Sequence, residues 1–326
     1  MIQPAWSTVP LGEDTKAALG AVPAAPGVVQ ILGPDARSLL IGRGADMRRF
    51  AAFHLGLGKP PAKGVRPPVS LRPIAQALRF APTTSGFGQR LLYERVMARH
   101  VPLEKRRDLK TPAYLRLDLS ARFPRLEVAA EADGANLYGP FRDRPAAQRA
   151  LAALHKALPL RPCDFVFEPH PELPLGTACL YAQVRSCAAP CLSRASETEY
   201  RALAESAARL LGAAPREPSL AGGLPSWIGP LAARTVVVEG MPDGLEVYPV
   251  RAGRVLDEQA FAGSLDALRE ALRSLDWAVP PRPSDLPWLS SWLHTPRRPG
   301  RWVRLPEVDA EGQARAVGTA LALEAR

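Results

Sequence analysis

The four cysteines of this 326-residue chain all fall between Cys163 and Cys191, and this clustering constrains the fold more than any other feature. Fifteen residues separate Cys163 from Cys179, seven separate Cys179 from Cys187, and three separate Cys187 from Cys191. Proline, glycine and aromatic residues recur through the stretch and disfavour a continuous helix. An irregular loop of this kind needs a local cross-link, and four neighbouring thiolates around a metal would provide one.

The cysteine spacing favours an iron–sulfur cluster over zinc and leaves both open. Structural zinc is usually held by close pairs of ligands roughly two to four residues apart, and only Cys187 and Cys191 form such a pair. A [4Fe-4S] cluster accepts wider and less even spacing. Disulfides are disfavoured because nothing in the sequence indicates secretion. We therefore predict a [4Fe-4S] cluster, with zinc as the alternative, on Cys163, Cys179, Cys187 and Cys191.

Positive charge is concentrated in the first two-thirds of the chain. The net charge is +10, yet residues 216–326 carry nearly equal numbers of basic and acidic side chains. Residues 85–126 include ten basic and four acidic side chains, among them the run Lys105, Arg106 and Arg107. A basic surface of this kind suits a polyanion such as DNA, although a merely solvated basic surface gives the same composition.

Length and the distribution of proline and glycine divide the chain into several parts. A chain of 326 residues usually forms more than one domain. We predict a poorly ordered leader over residues 1–20, domains over 21–110, 111–212 and 231–326, and a linker over 213–230. No signal-peptide pattern and no apolar run of roughly 18 residues is found, so we expect a soluble cytoplasmic protein without a membrane partner.

The N-terminal third predicts a hairpin followed by two helices. Short apolar runs at 28–32 and 38–42 flank a Gly-Pro-Asp turn, and a helical pattern follows over 43–55. These residues resemble the start of a GIY-YIG nuclease domain, in the form found in the UvrC excinuclease family of bacterial nucleotide excision repair. Pro-Gly-Val-Val at 26–29 is similar to the family's P-G-V-Y, and Leu-Ile-Gly-Arg-Gly at 40–44 is similar to its Y-I-G-K-A.

Later motifs extend the resemblance to about residues 20–212. Residues 84–100 match the second helix of the family, and Leu-Tyr-Gly-Pro-Phe at 137–141 is similar to its F-G-P-Y. The sequences around the cysteines are similar to the family elements R-x-C, P-C-L and R-C-x-x-P-C, whose cysteines hold a [4Fe-4S] cluster there. The resemblance implies an α+β fold: a small mixed GIY-YIG-like sheet flanked by helices, then a cysteine-rich iron–sulfur module.

The C-terminal segment shows strand and helix patterns and no motif of the family. Alternating apolar residues over 234–239 and 245–248 predict strands, and leucines at helical spacing over 265–275 predict a helix, which together give a C-terminal α+β domain. Trp288 and Trp292 stand one helical turn apart. They favour core packing over base stacking.

The resemblance implies only part of a nuclease site. Glu94 matches the metal-binding glutamate of the second helix, whereas Val29 and Leu40 stand where the family has tyrosines. Arg43 keeps a positive charge near the second string, and His54 is a candidate general base. Valine and leucine cannot transfer a proton or polarise water, so we expect a domain without the ordinary nuclease activity.

Three functions stay open on the sequence. The favoured one is a UvrC-like DNA-binding protein of nucleotide excision repair type, with DNA and other excision-repair proteins as partners. One alternative is an active endonuclease that uses Mg²⁺ or Mn²⁺ at Glu94, with His54, Arg43 and Tyr93 in altered roles. The other is an iron–sulfur module for protein interaction or redox sensing. Six basic residues are candidates for contacts with DNA phosphates: Arg43, Arg48, Arg49, Lys105, Arg106 and Arg107.

Overall fold

Three antiparallel sheets, each covered by helices, organise the described parts of the chain. The computed structural model describes residues 4–59, 67–132, 136–172, 179–212, 229–278, 285–307 and 309–322. The predicted α+β class is confirmed. The first sheet was expected to be mixed, and this detail is wrong because each of its strand pairs is antiparallel.

The first sheet has the strand order β1-β4-β2-β3. Its strands are β1 (Ser7–Pro10), β2 (Gly27–Leu32), β3 (Ser38–Gly44) and β4 (Ala77–Pro82). The helices of this region are α1 (Thr15–Ala21), α2 (Met47–His54) and α3 (Gly86–His100). The predicted hairpin is therefore confirmed as β2 and β3, while the first helix after it begins later than predicted because residues 43 and 44 still belong to β3.

Helices α2 and α3 lie on opposite faces of the first sheet. Side chains alternate between faces along a strand, and Val29 and Ile31 of β2 share a core with Met47 of α2. Gln30, between them, points the other way, where its Nε2 atom lies 3.3 Å from Nε2 of His100 at the end of α3. A residue on α2 is thus separated by the sheet from a residue on α3.

The predicted poorly ordered leader is wrong for much of its length. Strand β1 pairs with β4 at the edge of the sheet, and Asp14 caps α1 through bonds to the amides of Lys16 and Ala17. Leu19 at the end of α1 is buried in the core beneath the sheet. The strand is only four residues long, which is too short for an alternating pattern to be recognised in the sequence.

The second sheet has the order β6-β5-β7-β8 and carries the middle of the chain. Its strands are β5 (Ala113–Leu117), β6 (Leu126–Ala129), β7 (Leu137–Phe141) and β8 (Gly229–Pro230). The helices are α4 (Arg144–Ala157), α5 (Leu180–Gln183) and α6 (Glu197–Gly212). A capping box begins α6, with Ser196 and Glu199 bonded in both directions. Of the predicted linker, residues 213–228 lie outside the described residues, and the last two residues form β8.

The third sheet has the order β11-β10-β9-β13, with β12 also paired to β10. Its strands are β9 (Arg234–Met241), β10 (Gly244–Arg251), β11 (Arg254–Val255), β12 (Phe261–Gly263) and β13 (Arg301–Arg304). The helices are α7 (Leu265–Ser274), α8 (Leu286–Leu293) and α9 (Ala310–Ala322). Leu268 and Leu272 of α7 are buried as predicted, whereas Leu265 is largely exposed.

The third sheet packs helices on both faces, and one of them is α3. Val236 and Val238 point to α7 and α9, while Val237 and Tyr248 point to α8 and to Phe87 of α3. The prediction that the two tryptophans form core is confirmed, since both are almost fully buried. In the described part of the chain, no helix is both long and apolar enough to cross a membrane.

Candidate functional site

Glu94 lies in the middle of α3 and is buried between two arginines. Its side chain is 3% exposed. Oε1 lies 2.7 Å from Nη2 of Arg90, one helical turn earlier, and Oε2 accepts a hydrogen bond of 2.9 Å from Nη1 of Arg106. Oε2 is therefore hydrogen-bonded to a guanidinium group, whereas Oε1 lies at ion-pair distance from Arg90 without a hydrogen bond of good geometry.

Arg106 belongs to this buried ion-pair group and not to an exposed basic surface. Its side chain is 4% exposed, and its Nε and Nη2 atoms both donate to the carboxylate of Asp108 at 2.8 Å. The hydrogen bonds to Asp108 raise the pKa of Arg106, and the same bonds lower the pKa of Asp108. The prediction that Arg106 contacts DNA phosphate is wrong for this structure, because its donors are occupied within the protein.

Arg43 and Tyr93 complete the surroundings of Glu94. The guanidinium carbons of Arg43 and Arg106 each lie 5.8 Å from the centre of the Tyr93 ring. Burial lowers the pKa of Arg43, and the charge of Arg90 lowers it further. Burial also raises the pKa of the Tyr93 phenol, which makes it a weaker proton donor at neutral pH. Three positive side chains thus surround one carboxylate.

His54 is not part of this group. It ends α2, on the other face of the sheet, where its ring packs against Phe50 at 4.6 Å and Phe53 at 5.3 Å between ring centres. Burial lowers the pKa of His54. The structure therefore brings Arg43, Tyr93 and Glu94 together and does not bring His54 to them. His54 and Glu94, which the endonuclease alternative uses together, therefore lie on opposite sides of the first sheet.

The remaining basic candidates fall into two groups. Lys105 and Arg107 are exposed just after α3, on either side of the buried Arg106. Arg48 and Arg49 are exposed on α2, and Arg48 donates hydrogen bonds to backbone carbonyl groups near the end of α1. Since α2 and α3 lie on opposite faces of the sheet, the six candidates do not form one surface.

Sequence reasoning missed Arg90 and Asp108 as partners in the Glu94 group. Arg90 stands four residues before Glu94, a spacing that places two side chains on one face of a helix, so this pair was detectable. No spacing pattern in the sequence indicated that Asp108 would pair with Arg106. Its role depends on the turn after α3, which directs Arg106 back towards the helix.

The start of α3 is held by the third sheet. The carboxylate of Glu239 on β9 accepts hydrogen bonds from the amides of Gly86 at 2.9 Å and Phe87 at 2.8 Å. Ser85 caps the helix through the amide of Gly88 and lies 3.0 Å from the hydroxyl of Tyr248. These contacts fix the orientation of the helix that carries Glu94.

All four cysteines of the loop carry free thiols, and Cys187 interacts electrostatically with the other three. Cys187 is buried and accepts a hydrogen bond of 3.3 Å from the amide of Ala189, while Cys179 and Cys191 pack against one small apolar cluster. Burial, with smaller contributions from the other three thiols, raises the pKa of Cys187 to about 11. Within the described residues, no three His, Cys, Asp or Glu side chains form a ready metal-binding group. By their chemistry, four thiols without a disulfide and an amide directed at sulfur are donors of the kind that hold an iron–sulfur cluster, and their assembly around one stays a prediction.

Strands β5 to β7 of the second sheet and the cysteine loop fall in a segment that matches a known domain. Residues 113–210 match the family model described as UvrC/Cho excinuclease, middle domain. The UvrABC system protein C of Geobacter sp. (strain M21) is 29% identical over 207 residues, which is 60% of this chain and 30% of that protein. The corresponding protein of Aromatoleum aromaticum is 30% identical over 204 residues, covering 61% of this chain and 32% of that protein.

The chain therefore matches about a third of the length of these curated relatives. No solved structure matches it. The family-model match supports the resemblance over the middle of the chain. The GIY-YIG likeness of residues 21–110 and the iron–sulfur role of the four cysteines stay predictions.

Proposed function

We propose that this protein is a UvrC-like DNA-binding protein of nucleotide excision repair type, without the ordinary GIY-YIG nuclease activity. The observation that carries the proposal is the match of residues 113–210 to the excinuclease middle domain, together with similarity to proteins named UvrABC system protein C. DNA and other excision-repair proteins are the partners that this relation implies.

The surroundings of Glu94 support the loss of nuclease activity. A catalytic Mg²⁺ or Mn²⁺ needs free carboxylate oxygens and usually keeps several waters. Both oxygens of Glu94 instead contact guanidinium groups, and Arg43 adds a third positive charge nearby. A divalent cation would have to displace two buried ion pairs and enter a positive environment. A metal is thus required only if the endonuclease alternative is right.

Exposed basic residues after α3 support binding to DNA. Lys105 and Arg107 are exposed, and they lie on the same side of the first sheet as Arg43. Contacts of this type bind phosphate through charge and make the affinity depend on salt. The side chain of Arg106 is buried and does not reach DNA. Its ion pairs with Glu94 and Asp108 hold the turn that carries Lys105 and Arg107.

Fluorescence anisotropy with labelled duplex and single-stranded DNA, measured over a range of salt concentrations, tests the binding. We expect the Lys105→Ala/Arg107→Ala variant to weaken binding and to reduce the salt dependence by roughly one unit for each phosphate that is no longer neutralised. Lys16→Ala is the matched control, since Lys16 is an exposed lysine on α1. Binding that does not depend on salt, or no binding to any DNA at low salt, would contradict the proposal.

A plasmid-nicking assay with Mg²⁺ or Mn²⁺ tests the absence of nuclease activity. We expect no nicking above the level of the Glu94→Gln variant. Nicking by the natural chain that Glu94→Gln abolishes would establish the endonuclease alternative in its place.

The four cysteines form the second part of the proposal. We infer that Cys163, Cys179, Cys187 and Cys191 hold a [4Fe-4S] cluster, with zinc as the alternative metal. The cluster would cross-link a loop in which the described residues form one short α-helix, α5. The free thiols and the amide of Ala189 directed at Cys187 support this assignment.

A further inference from the structure

An open cleft of about 550 Å³ lies at one end of the third sheet, far along the chain from the residues considered above. It is bordered by the ends of β9 and β10, the C-terminal end of α7 and the first turn of α9. Three of its lining residues are arginines: Arg234, Arg251 and Arg273. The volume is that of a small-molecule site.

The arginines converge although the C-terminal part of the chain is not basic as a whole. Arg234 on β9 is the direct cross-strand partner of Arg251 on β10, and Arg251 in turn faces Arg254 on β11. Directly opposed residues share a face of the sheet, and like charges in such positions repel. Three arginines side by side on neighbouring strands therefore repel one another, and this repulsion destabilises the sheet unless anions lie nearby.

Only part of this positive charge is balanced within the protein. Arg254 pairs with Glu258 at 2.7 Å, and Arg273 pairs with Glu270 at 2.8 Å. In the described part of the chain, no carboxylate forms an ion pair with Arg234 or Arg251. Arg234 instead lies 5.7 Å from the ring centre of Trp277, which holds it at the edge of the cleft.

The other polar groups of the cleft define what it could accept. Asp276 is the one acidic residue among its lining residues, and its Oδ1 accepts a hydrogen bond of 2.8 Å from the amide of Ala278. The N-terminal end of α9 also borders the cleft at Ala310 and Gln313, but the carboxylate of Asp309 already caps it by accepting a hydrogen bond of 2.9 Å from the amide of Gly312. The guanidinium groups of the cleft therefore carry the preference for an anion with several oxygens.

We propose that this cleft binds the phosphate group of a nucleotide, with Arg234 and Arg251 as the main ligands and Arg273 at the rim. The phosphate can belong to a free nucleotide or to the end of a DNA strand, since both present the same oxygens. Guanidinium groups bind phosphate through paired charge-assisted hydrogen bonds. The site goes beyond the function proposed above, because it lies in the C-terminal part of the chain and outside the matched segment.

Binding of defined phosphate probes to the full chain tests the site. The probes are inorganic phosphate, AMP, a short 5′-phosphorylated oligonucleotide and the same oligonucleotide without its phosphate. Inorganic phosphate should raise the melting temperature of the natural chain relative to chloride at equal ionic strength. Arg234→Gln and Arg251→Gln should each raise the Kd for the phosphorylated probes about tenfold or more. Arg251→Lys should retain part of the affinity, because it keeps the charge and loses the planar fork.

Controls separate the cleft from general charge effects. Arg269→Gln removes an exposed arginine of the same helix α7 that pairs with Asp266 and does not line the cleft, so its binding should match the natural chain. Preference for the phosphorylated oligonucleotide over AMP would identify a strand end as the ligand, and equal binding would identify the nucleotide itself. The proposal is overturned if no phosphate-bearing probe binds, or if the Arg234 and Arg251 variants bind as well as Arg269→Gln.

The test also distinguishes this site from the DNA-binding surface after α3. The Lys105→Ala/Arg107→Ala variant leaves the cleft intact and should keep its affinity for AMP. Conversely, Arg251→Gln should keep most of the salt-dependent affinity for internal duplex DNA. Either proposal can therefore fail while the other stands.

Discussion

Replacing Glu94 by alanine should destabilise the protein strongly, and the size of the effect separates a structural residue from a catalytic one. The substitution leaves Arg106, 4% exposed, and Arg90, 17% exposed, without their common partner. Removing one member of a buried ion pair typically costs about 3–5 kcal/mol. Asp108 still pairs with Arg106, so we expect a loss of about 3 kcal/mol in the free energy of unfolding, at the lower end of that range.

Urea unfolding followed by circular dichroism measures this loss. Glu258→Ala is the matched control, because Glu258 is an exposed carboxylate and the loss of its ion pair with Arg254 should cost about 0.5 kcal/mol or less. Glu94→Met combined with Arg106→Met should recover much of the loss, since apolar pairs often replace buried ion pairs without penalty. A Glu94→Ala protein as stable as the natural chain would refute the reasoning, and would instead suggest a carboxylate kept for function at the expense of stability.

The other predictions concern the cysteine loop, the start of α3 and acid stability. Anaerobically purified protein should contain about four irons per chain and a broad visible absorbance, both lost in Cys187→Ala; one zinc without iron would support the alternative metal. Glu239→Ala should cost about 1–2 kcal/mol, because the first amides of α3 lose a charged acceptor; an unchanged urea midpoint would contradict this. Because the pKa of His54 is lowered in the folded protein, His54 takes up a proton more readily in the unfolded chain once the pH falls below the ordinary value of 6.5. Stability should therefore decrease below that pH and decrease less in His54→Phe, which unfolding midpoints at several pH values would show.

Local patterns in the sequence predicted the elements that have strong periodicity or clear caps. The hairpin of β2 and β3, the strands within residues 234–248 and helix α7 were identified in this way, whereas helix α3 was identified through the resemblance. Each depends on contacts between residues close in sequence, which is why they could be read directly. Strand β1 could not, since its pairing with β4 joins residues about seventy positions apart.

The candidate site also depends on contacts between residues that the sequence alone does not bring together. Glu94 was identified through resemblance, but its burial against Arg106 depends on the path of the chain after α3. The run of three basic residues at 105–107 predicts a uniform basic surface from charge alone. In the folded protein its central member points inwards and its neighbours point outwards. Charge composition cannot distinguish these orientations, because it contains no information about which side chain the turn directs towards the helix.

Helix α3 links the two parts of the protein through adjacent residues that point in different directions. Glu94 contacts Arg90 and Arg106, whereas Arg95 forms ion pairs with Asp257 at 2.7 Å and with the buried Asp285 of the C-terminal part. Burial opposes the charge of Arg95, but its hydrogen bonds to Asp285 and Asp257 outweigh this effect and raise its pKa, so the guanidinium stays charged. With Phe87 packed among Tyr248, Trp288 and Trp292, one face of α3 is covered by the third sheet and its helices. In a nuclease, the helix that carries a metal ligand must leave that ligand open to metal and substrate. Here Glu94 is paired with two arginines, and Phe87, two turns earlier on the same helix, is buried against the third sheet and its helices, an arrangement that supports the proposed loss of nuclease activity.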